Sequence, residues 1–514
     1  MKGKKFFILV ATLMIAVAIW AAALPAQAGL LEGQTAVATS SDNYPSVIFN
    51  DGLRGQLDVS TFSAVELKTA VPHGVSTGPL MVFKGSEASN PVTMTVGAPT
   101  VPDLTGIADT WQVMATGPIT TSTVWSEHTL LTGTVTIAPG VVVTITPGVT
   151  IWGGPDAELV VQGGLVAEGT AVAPIYFSSS QPHPAPGDWL GIRVTKESHL
   201  FSLKYALVQY AQNGVYFRAS TEGHAYLSGM ISHSLLQYNE RGVYTLVRPD
   251  TPPYNHTATS EITITHSLVY SNTTAGMTIN TSAGGGWTKD YSLVAHNRFV
   301  GNQIGLEMVA NTWWVGHSDH RPTIHNNLFR DNGQYGIDVR GFGSSDTSGS
   351  DTRMYPVITH NLFQGGPTGL RLYLNPRGSD GTQVVAATVR YNTFRHASVG
   401  ILMADEQSYN TLTAVIEQNI FYGFADEGAY AIFNSTSRPL TADHNYWGQH
   451  ADAWAEGAAD MVSGTVTVDS FLTAADPPLL THIQPGSGQP GDWLTLHGAN
   501  LGELAQLFLP FIIK

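Results

Sequence analysis

One short stretch of the chain contains the residues best suited to proton transfer. Asp331 and Asp338 lie near a predicted strand, with Arg330 and Arg340 nearby. Titratable groups within hydrogen-bonding reach of one another can serve as an acid–base pair. We regard these four residues as weak catalytic candidates, because a chain built of similar turns brings such groups together by coincidence.

A second group of residues is suited to binding. Aromatic faces stack on sugar rings, while Asp and Arg side chains bind hydroxyl or carboxylate groups. The residues that we assign to substrate binding lie in insertions of the chain and are Trp287, Trp313, Trp314, Arg321, Asp346, Asp351, Arg353, Arg377 and Asp380. The alternative is that the aromatic residues cover an apolar edge and the polar residues decorate loops.

Histidines recur as well, but their pattern predicts no metal site. Five of them precede a recurring Ser or Asn: His233, His266, His296, His360 and His444. Asn326, Tyr391 and Gln418 hold the same position elsewhere, so the column is interrupted, and we expect it to point outward beside a turn. The cluster "GHSDHRP", with His317, Asp319 and His320, lacks a defined ligand spacing.

An internal repeat must position all of these side chains. Its segments begin at Ser234, Ser267, Asn297, Asn327, Asn361, Asn392, Asn419 and Asn445, which are 26 to 34 residues apart. Two positions later stands a large apolar residue: Leu236, Val269, Phe299, Phe329, Phe363, Phe394, Phe421 or Trp447. A glycine follows in most segments, at Gly242, Gly276, Gly305, Gly336, Gly369, Gly400 and Gly428.

The repeat predicts a solenoid of short strands. The segments alternate strand and turn residues without a helical period. If coils stack at about 4.8 Å, the Asn side chains form a hydrogen-bonded ladder and the Phe rings form an apolar column. We expect the glycines to provide a tight or left-handed bend. Insertions at one position of successive coils should project from one edge as loops, where solenoids usually bind.

The motifs "HNLF…GL", "YNTF…GI", "QNIF…GA" and "HNYWG" resemble those of the right-handed parallel β-helix family, which has the pectate-lyase-like fold. The resemblance covers roughly Leu203 to Gly448. It implies an all-β chain folded as a right-handed parallel β-helix solenoid, and right-handed crossovers are the general preference.

For enzymes of this fold, the resemblance implies glycoside hydrolysis by paired Asp residues or β-elimination by a Lys or Arg base, often with Ca²⁺. The hydrolase signatures Asn-Thr-Asp, Asp-Asp and Gly-His-Gly are absent from the sequence, and no lyase Lys/Arg set is recognisable. Ca²⁺ binding is permitted by the acidic composition but not indicated, and we predict no cofactor.

Composition and charge restrict the partners. The chain contains 39 acidic and 24 basic residues, with a formal net charge of −15, and no Cys. A net negative charge argues against nucleic acid and anionic membranes as partners. Lys2, Lys4 and Lys5, an apolar run and Ala26–Ala28 predict a secretory signal; an uncleaved anchor is the alternative, and either exports the chain.

We predict four regions from these features. They are a signal peptide at 1–28, a β-rich N-terminal region at 29–121, the parallel β-helix at 122–475, and a terminal segment at 476–514. The last begins like a truncated IPT/TIG domain and ends in "LFLPFIIK", which is either a sorting signal of an exported protein or a final strand. It is too short to span a bilayer.

The sequence favours a secreted or cell-surface protein that binds or displays toward extracellular polysaccharide or cell-envelope glycan without catalysis. The alternatives are a polysaccharide lyase, hydrolase or epimerase acting in a loop-lined groove, and an architectural spacer. We expect the protein to contact a membrane only through the signal segment or the terminal tail.

Overall fold

The structure is a computed structural model of the 514-residue chain. It describes residues 117–170, 172–220, 223–249, 255–343, 350–376, 382–405, 411–422, 424, 428–447 and 461–468, and the backbone of strands outside these ranges. The chain divides into two compact units. One consists of Val101–Ala475 and the other of Met1–Thr100 together with Asp476–Lys514. No helix among the described residues is long and apolar enough to cross a membrane.

The strands are short in the first coils and longer in the middle of the chain. Before the solenoid lie β1 (Ile15–Ala16), β2 (Ser46–Ile48), β3 (Glu66–Leu67), β4 (Gly78–Lys84), β5 (Glu87–Ala88) and β6 (Val92–Met94). The solenoid begins with β7 (Gln112–Met114), β8 (Gly117–Ile119), β9 (Thr123–Trp125), β10 (Thr129–Leu131), β11 (Thr134–Ile137), β12 (Val142–Ile145), β13 (Thr150–Gly153), β14 (Glu158–Val161), β15 (Gly164–Glu168), β16 (Ile175–Ser179), β17 (Trp189–Thr195), β18 (Leu200–Lys204), β19 (Ala206–Gln209), β20 (Ala211–Ser220), β21 (Ala225–Ser232), β22 (Leu235–Gln237), β23 (Arg241–Arg248) and β24 (Thr257–Thr265). It continues with β25 (Leu268–Tyr270), β26 (Ala275–Asp290), β27 (Leu293–Ala295), β28 (Arg298–Val300), β29 (Ile304–His320), β30 (Thr323–His325), β31 (Leu328–Arg330), β32 (Tyr335–Gly343), β33 (Asp351–Met354), β34 (Val357–Thr359), β35 (Leu362–Gln364), β36 (Thr368–Pro376), β37 (Gln383–Arg390), β38 (Thr393–Arg395), β39 (Val399–Asp405), β40 (Thr411–Glu417), β41 (Ile420–Tyr422), β42 (Tyr430–Asn434), β43 (Leu440–Thr441), β44 (Val462–Gly464) and β45 (Val466–Thr467). The last strands are β46 (Leu479–Gln484), β47 (Trp493–Ala499) and β48 (Gln506–Phe508).

The strands of the solenoid pair in parallel with their counterparts one coil further on. In one coil, β30 pairs with β34, β31 with β35 and β32 with β36. The β31 type of strand forms a 12-stranded sheet, and the other two types form a 25-stranded sheet that runs along the solenoid. The predicted all-β parallel solenoid is therefore confirmed; its right-handedness stays a prediction.

The predicted amide ladder is confirmed. The backbone N–H of Asn327 donates to Asn361 Oδ1 at 2.9 Å, and that of Asn361 donates to Asn392 Oδ1 at 2.9 Å. The same bond links each member from Ser267 to Asn445 to the next, and the Ser234 N–H donates to Ser267 Oγ at 3.1 Å. The ladder side chains are buried, so they satisfy turn amides that would otherwise be left without an acceptor, at a cost of about 1–3 kcal/mol each.

A second ladder runs beside the first and was not predicted. Asn239, Asn272, Asn302 and Asn332 bond in the same way, with N–H to Oδ1 distances of 3.0, 3.0 and 3.1 Å. It serves the turn between the strands of the 12-stranded sheet and the following strands. In the next coil its position is held by Gly366, which is in the left-handed region with φ of 75°.

The predicted column of aromatic rings is also confirmed. Phe299, Phe329, Phe363, Phe394 and Phe421 are stacked, with ring centroids 4.5 to 5.2 Å apart. Trp447 closes the column, 5.0 Å from Phe421. These Phe side chains are at most 1% exposed, so the column forms part of the continuous apolar core that replaces disulfides in this chain.

The glycines of the repeat play a different role from the one predicted. Gly336 is outside the left-handed region, and a Cβ built on it would lie 2.6 Å from the Gly369 carbonyl oxygen and 2.9 Å from Phe363 Cδ1. The glycine is needed because the next coil approaches closely. The left-handed residue of the turn before this glycine is instead Asp331, with φ of 51°, and the turn that precedes the ladder has its own, Asn326, with φ of 55°. Gly428, with φ of 84°, is the exception.

Two predicted loops are strands. We expected the insertions at 282–291 and 311–322 to project as loops, but β26 and β29 run through most of each of them. Trp287 pairs with Thr257 on one side and His317 on the other. Each insertion finds a partner in the neighbouring coil, so extending the sheet satisfies its backbone groups better than a loop would.

The flanking regions largely lie outside the described residues. β2, β5 and β6 each pair antiparallel with β4, and β46, β47 and β48 form an antiparallel sheet. The signal peptide, the N-terminal region, the IPT/TIG resemblance and the tail stay predictions, and so do the region boundaries.

Candidate functional site

A row of side chains runs from coil to coil on the outer face of the 25-stranded sheet. Its members lie on the strands that follow those of the 12-stranded sheet. Parallel pairing puts one residue per coil in the same register, about 4.8 Å from the next. We call this set the face row: Tyr216, Tyr244, Thr278, Glu307, Asp338 and Arg371. In most of these coils the member stands two positions after the repeat glycine, which places it on the outer side of the strand.

Two carboxylates of the face row are neutralised by arginines. Arg371 donates from Nε and Nη2 to the two oxygens of Asp338, both at 2.7 Å. Arg340 forms an ion pair with Glu307 and lies 3.3 Å from Asp338. Thr278 donates a further hydrogen bond to Glu307 at 3.0 Å. The four charged groups therefore form one balanced network on the outer face of the sheet.

Burial affects the titration of this network. Asp338 is buried, and desolvation raises the pKa of its carboxyl group although Arg371 opposes the shift. Desolvation and the neighbouring Arg371 lower the pKa of Arg340. Carboxylates that already accept several charged hydrogen bonds are poorly placed to take a proton from a substrate. The network therefore fixes the positions of Arg340 and Arg371, and neither carboxylate is a free base.

Tyrosines lie at both ends of the face row. The Arg371 guanidinium lies 4.1 Å from the Tyr335 ring centroid and 5.3 Å from that of Tyr373. Tyr216 and Tyr244 are stacked with centroids 4.9 Å apart, and burial raises the pKa of Tyr216 to about 12. These rings are partly exposed, so they can offer ring edges and hydroxyl groups to a ligand.

The two strands that carry the tyrosine pair are also rich in arginine. Arg218 lies on β20, and Arg241 and Arg248 lie on β23. Neither strand contains an acidic residue. This end of the face row is therefore locally cationic within a chain of net charge −15, which favours an anionic ligand there.

A second group of side chains lies on the extended halves of β26, β29 and β33. His317 Nδ1 lies 3.2 Å from Asp351 Oδ2, and the His317 ring is stacked on Trp287 with centroids 4.3 Å apart. Asp351 also accepts from Arg353 Nη2 at 2.8 Å and from the Thr382 N–H at 3.0 Å. We call these four side chains, of Trp287, His317, Asp351 and Arg353, the edge cluster. The His317 side chain is 25% exposed.

The structure therefore brings three of the predicted substrate-binding residues together, namely Trp287, Asp351 and Arg353. Arg321 donates to Asp319 at 2.7 Å and lies 4.7 Å from the Tyr355 ring centroid. Asp346, Arg377 and Asp380, and the side chains of Trp313 and Trp314, lie outside the described residues.

The predicted acid–base residues are divided between two sheets. Asp338 and Arg340 belong to β32 in the face network, whereas Arg330 ends β31 and lies 3.7 Å from the exposed Asp331 in the turn. His320 of the predicted "GHSDHRP" cluster is buried and lies 3.2 Å from the buried Asp290. No group of three or more His, Cys, Asp or Glu residues in the described part of the chain is arranged to hold a metal ion.

Sequence reasoning missed Glu307, Arg371 and the flanking tyrosines. Their ion pairs join residues of neighbouring coils, so no local motif contains them. The signal was nevertheless present, since Glu307, Asp338 and Arg371 stand two residues after Gly305, Gly336 and Gly369. An alignment of the repeats on their glycines would have placed all three in one row.

Fold and site together define a class: a parallel β-solenoid with an outward row of aromatic and charged side chains. No protein-family model matches the chain, and no curated protein matches it. Among solved structures, the chain is similar to an alginate lyase from Paenibacillus sp. str. FPU-7, with 11% sequence identity and a TM-score of 0.21. The match covers 65% of this chain and 99% of the alginate lyase. At these values the likeness supports no argument about activity.

Proposed function

We propose that this protein binds an acidic extracellular polysaccharide along the face row. The observation that carries the proposal is the register itself, which aligns the tyrosine pair with the arginine-neutralised carboxylates and Arg371 of successive coils in one line. A linear polymer can follow such a line and meet a new coil at each step of about 4.8 Å. Compact ligands would use only a small part of it.

The chemistry of the row suits a sugar polymer that carries carboxylates. Tyr216, Tyr244 and Tyr373 offer partly exposed ring edges and hydroxyl groups that can contact sugar rings. Arg218 and Arg248 are exposed and can form bidentate bonds with carboxylates. Export by the predicted signal would bring the protein to such polymers outside the cell or on its surface, which remains part of the proposal.

Binding without catalysis is favoured by the state of the carboxylates. Both oxygens of Asp338 accept from Arg371, and Glu307 is paired with Arg340 and Thr278. A pair of carboxylates for glycoside hydrolysis needs one free acid and one free base or nucleophile. The network meets neither requirement as it stands.

A second candidate function is catalysis on a polysaccharide at the edge cluster. Asp351 orients His317 through Nδ1, and a base held in this way by a carboxylate is a recurring arrangement for proton transfer. The Trp287 ring is stacked on the His317 ring. This observation supports the lyase, hydrolase or epimerase alternative, whereas a spacer would need neither group.

Retention of the full chain by immobilised polysaccharides tests both candidates. A panel of polygalacturonate, alginate and a neutral glucan is used at about pH 8, with assays for unsaturated and reducing ends. We expect retention on an acidic polymer, weakened by salt, and no new chain ends. Release of chain ends that is abolished by His317→Gln would replace binding with catalysis.

The location of the site is tested by charge removal. Arg218→Gln combined with Arg248→Gln removes two exposed arginines of the face and should weaken retention about tenfold. The matched control is Arg390→Gln with Arg395→Gln, which removes the same charge from β37 and β38. Equal losses in both variants, or no loss in either, would contradict binding at the face row.

A further inference from the structure

The histidines that precede the first ladder form a stacked column on the outside of a turn. The His233 and His266 ring centroids are 5.0 Å apart, and those of His266 and His296 are 4.9 Å apart, with nearly parallel planes. His325 lies 5.4 Å from His296, edge to face. We call these four side chains with His360 the imidazole column. Most of its rings are exposed or partly exposed.

The ladder fixes the backbone of this column. His233, His266, His296 and His360 have φ angles between 51° and 58°, and each is followed by a buried Ser or Asn of the ladder. The turn requires a left-handed residue, a conformation that Asn adopts at least as readily as His. Asn326 holds this position with φ of 55°, so the backbone alone does not require a histidine.

The surroundings of the column contain more basic than acidic groups. Lys204 lies near one end, since it lowers the pKa of His233 together with burial. On the flanking strands and turns the basic side chains are Arg298, Arg330 and Arg390. The acidic ones are Glu261, which accepts a hydrogen bond from Tyr226, Asp331, which lies 3.7 Å from Arg330, and Glu417, which forms an ion pair with Arg390. Burial and the neighbouring imidazoles lower the pKa values of His266 and His325, and burial lowers that of His360.

We propose that the imidazole column is a second binding surface for anionic polysaccharide, which becomes active only when the medium is acidified. The lowered pKa values of His233, His266, His325 and His360 favour uncharged rings at neutral pH. In acid the column becomes a row of positive charges at about 5 Å spacing. The proposal rests on the proposed function only for the kind of polymer, because the column is separate from the face row.

The geometry couples protonation to binding. Each imidazolium repels its neighbours in the free protein, so the column charges reluctantly. A chain of carboxylates laid along the row relieves that repulsion, and binding therefore takes up protons. Uronic acids titrate near the range of Asp, at about pH 4, so they keep their charge at about pH 5, while acidification favours the charged form of imidazole. A single-file row fits one linear polymer better than a double helix of nucleic acid.

A metal ion is not the favoured ligand of this column. Stacked parallel rings direct their ring-nitrogen lone pairs side by side and not toward a common point, whereas a zinc site needs several donors that converge. Among the described residues no group of three or more His, Cys, Asp or Glu side chains is arranged for a metal. The parallel arrangement instead suits a ligand with repeating charges.

Affinity for polygalacturonate at about pH 8 and about pH 5 tests the proposal. In the full chain carrying Arg218→Gln and Arg248→Gln, acidification should raise affinity about tenfold or more. His266→Asn with His296→Asn should reduce this gain to about threefold or less, since two central charges are lost while Asn keeps the turn. The control, His183→Asn with His199→Asn, removes two exposed imidazoles elsewhere and should keep the gain.

The outcomes separate the two proposals. Loss of binding at about pH 8 in the arginine variant concerns the face row alone, whereas loss of the acid-induced gain in the histidine variant concerns the column alone. A gain that survives His266→Asn with His296→Asn, or that disappears equally in the control, would overturn the column proposal. So would acid-induced binding of duplex DNA or a neutral glucan as tight as that of polygalacturonate. Circular dichroism at both pH values confirms that each variant is folded.

Discussion

The amide ladder makes a quantitative prediction for Asn361→Ala. Asn361 Oδ1 accepts from the Asn327 N–H at 2.9 Å and from Asn327 Nδ2 at 3.0 Å. Asn361 Nδ2 donates to the Ile324 and Thr359 carbonyls and to Asn392 Oδ1, each at 3.0 Å. The side chain is 2% exposed, so water cannot replace these bonds without opening the coil.

The magnitude follows from the groups left behind. The buried Asn327 N–H loses its acceptor, which costs about 1–3 kcal/mol, and each remaining lost bond contributes about 0.5–1.5 kcal/mol. With four remaining bonds, we therefore expect Asn361→Ala to lower the free energy of unfolding by about 3–9 kcal/mol. Asn332→Ala should cost less, because Asn332 ends the second ladder and donates to the Phe299 carbonyl at 3.1 Å without a further Asn beyond it.

Equilibrium unfolding in urea measures the loss, and amide hydrogen exchange locates it. Because coils contact mainly their neighbours, exchange should accelerate first in β31, β35 and β38. The control is Asn326→Gly, which changes the adjacent exposed residue in the left-handed region and should alter stability by about 0.5 kcal/mol or less. If Asn361→Ala cost no more than this control, the ladder would not be a main source of stability.

Two further predictions concern a repeat glycine and a histidine that precedes the ladder. Gly336→Ala should lower the free energy of unfolding by about 2–4 kcal/mol, because its Cβ would meet the Gly369 carbonyl at 2.6 Å. The control, Gly301→Asp, changes a glycine with φ of 64° at a position where another coil has Asp331, and it should change the urea midpoint little. Equal losses in the two variants would contradict the close-approach argument. The pKa of His266 is lowered in the folded chain, so the unfolded chain binds more protons below pH 6.5 and stability should fall as pH decreases through 6.5 toward the lowered pKa. His266→Asn should reduce this fall in urea titrations, and an unchanged pH dependence would refute the assignment.

Much of the solenoid followed from one alignment of the sequence. Asn327, Asn361 and Asn392 with Phe329, Phe363 and Phe394 sufficed to predict the ladder, the aromatic column and parallel stacking. The second ladder escaped notice because Gly366 and Ala397 interrupt it, so its period is visible over few segments. The role of Gly336 was wrongly predicted, since a local rule about φ cannot see an approach by the next coil.

The candidate site was only partly predictable for the same reason. Trp287, Asp351 and Arg353 were assigned to one edge, and their register in neighbouring coils brings them together around His317. Asp331 and Asp338 are close in sequence, but a turn sends them to different sheets. Glu307 and Arg371 lie in neighbouring coils on either side of Asp338, and neither was selected.

The sequence by itself determined which residues face inward, because the strand period and the recurrence of Asn, Phe and Gly are properties of each segment. Tertiary structure alone decided which charged residues meet. Contacts such as Arg371 with Asp338 depend on the register between coils, and that register is set by packing of the whole core and by close contacts such as Gly336 with Gly369. A segment read alone contains no information about the position of its neighbour.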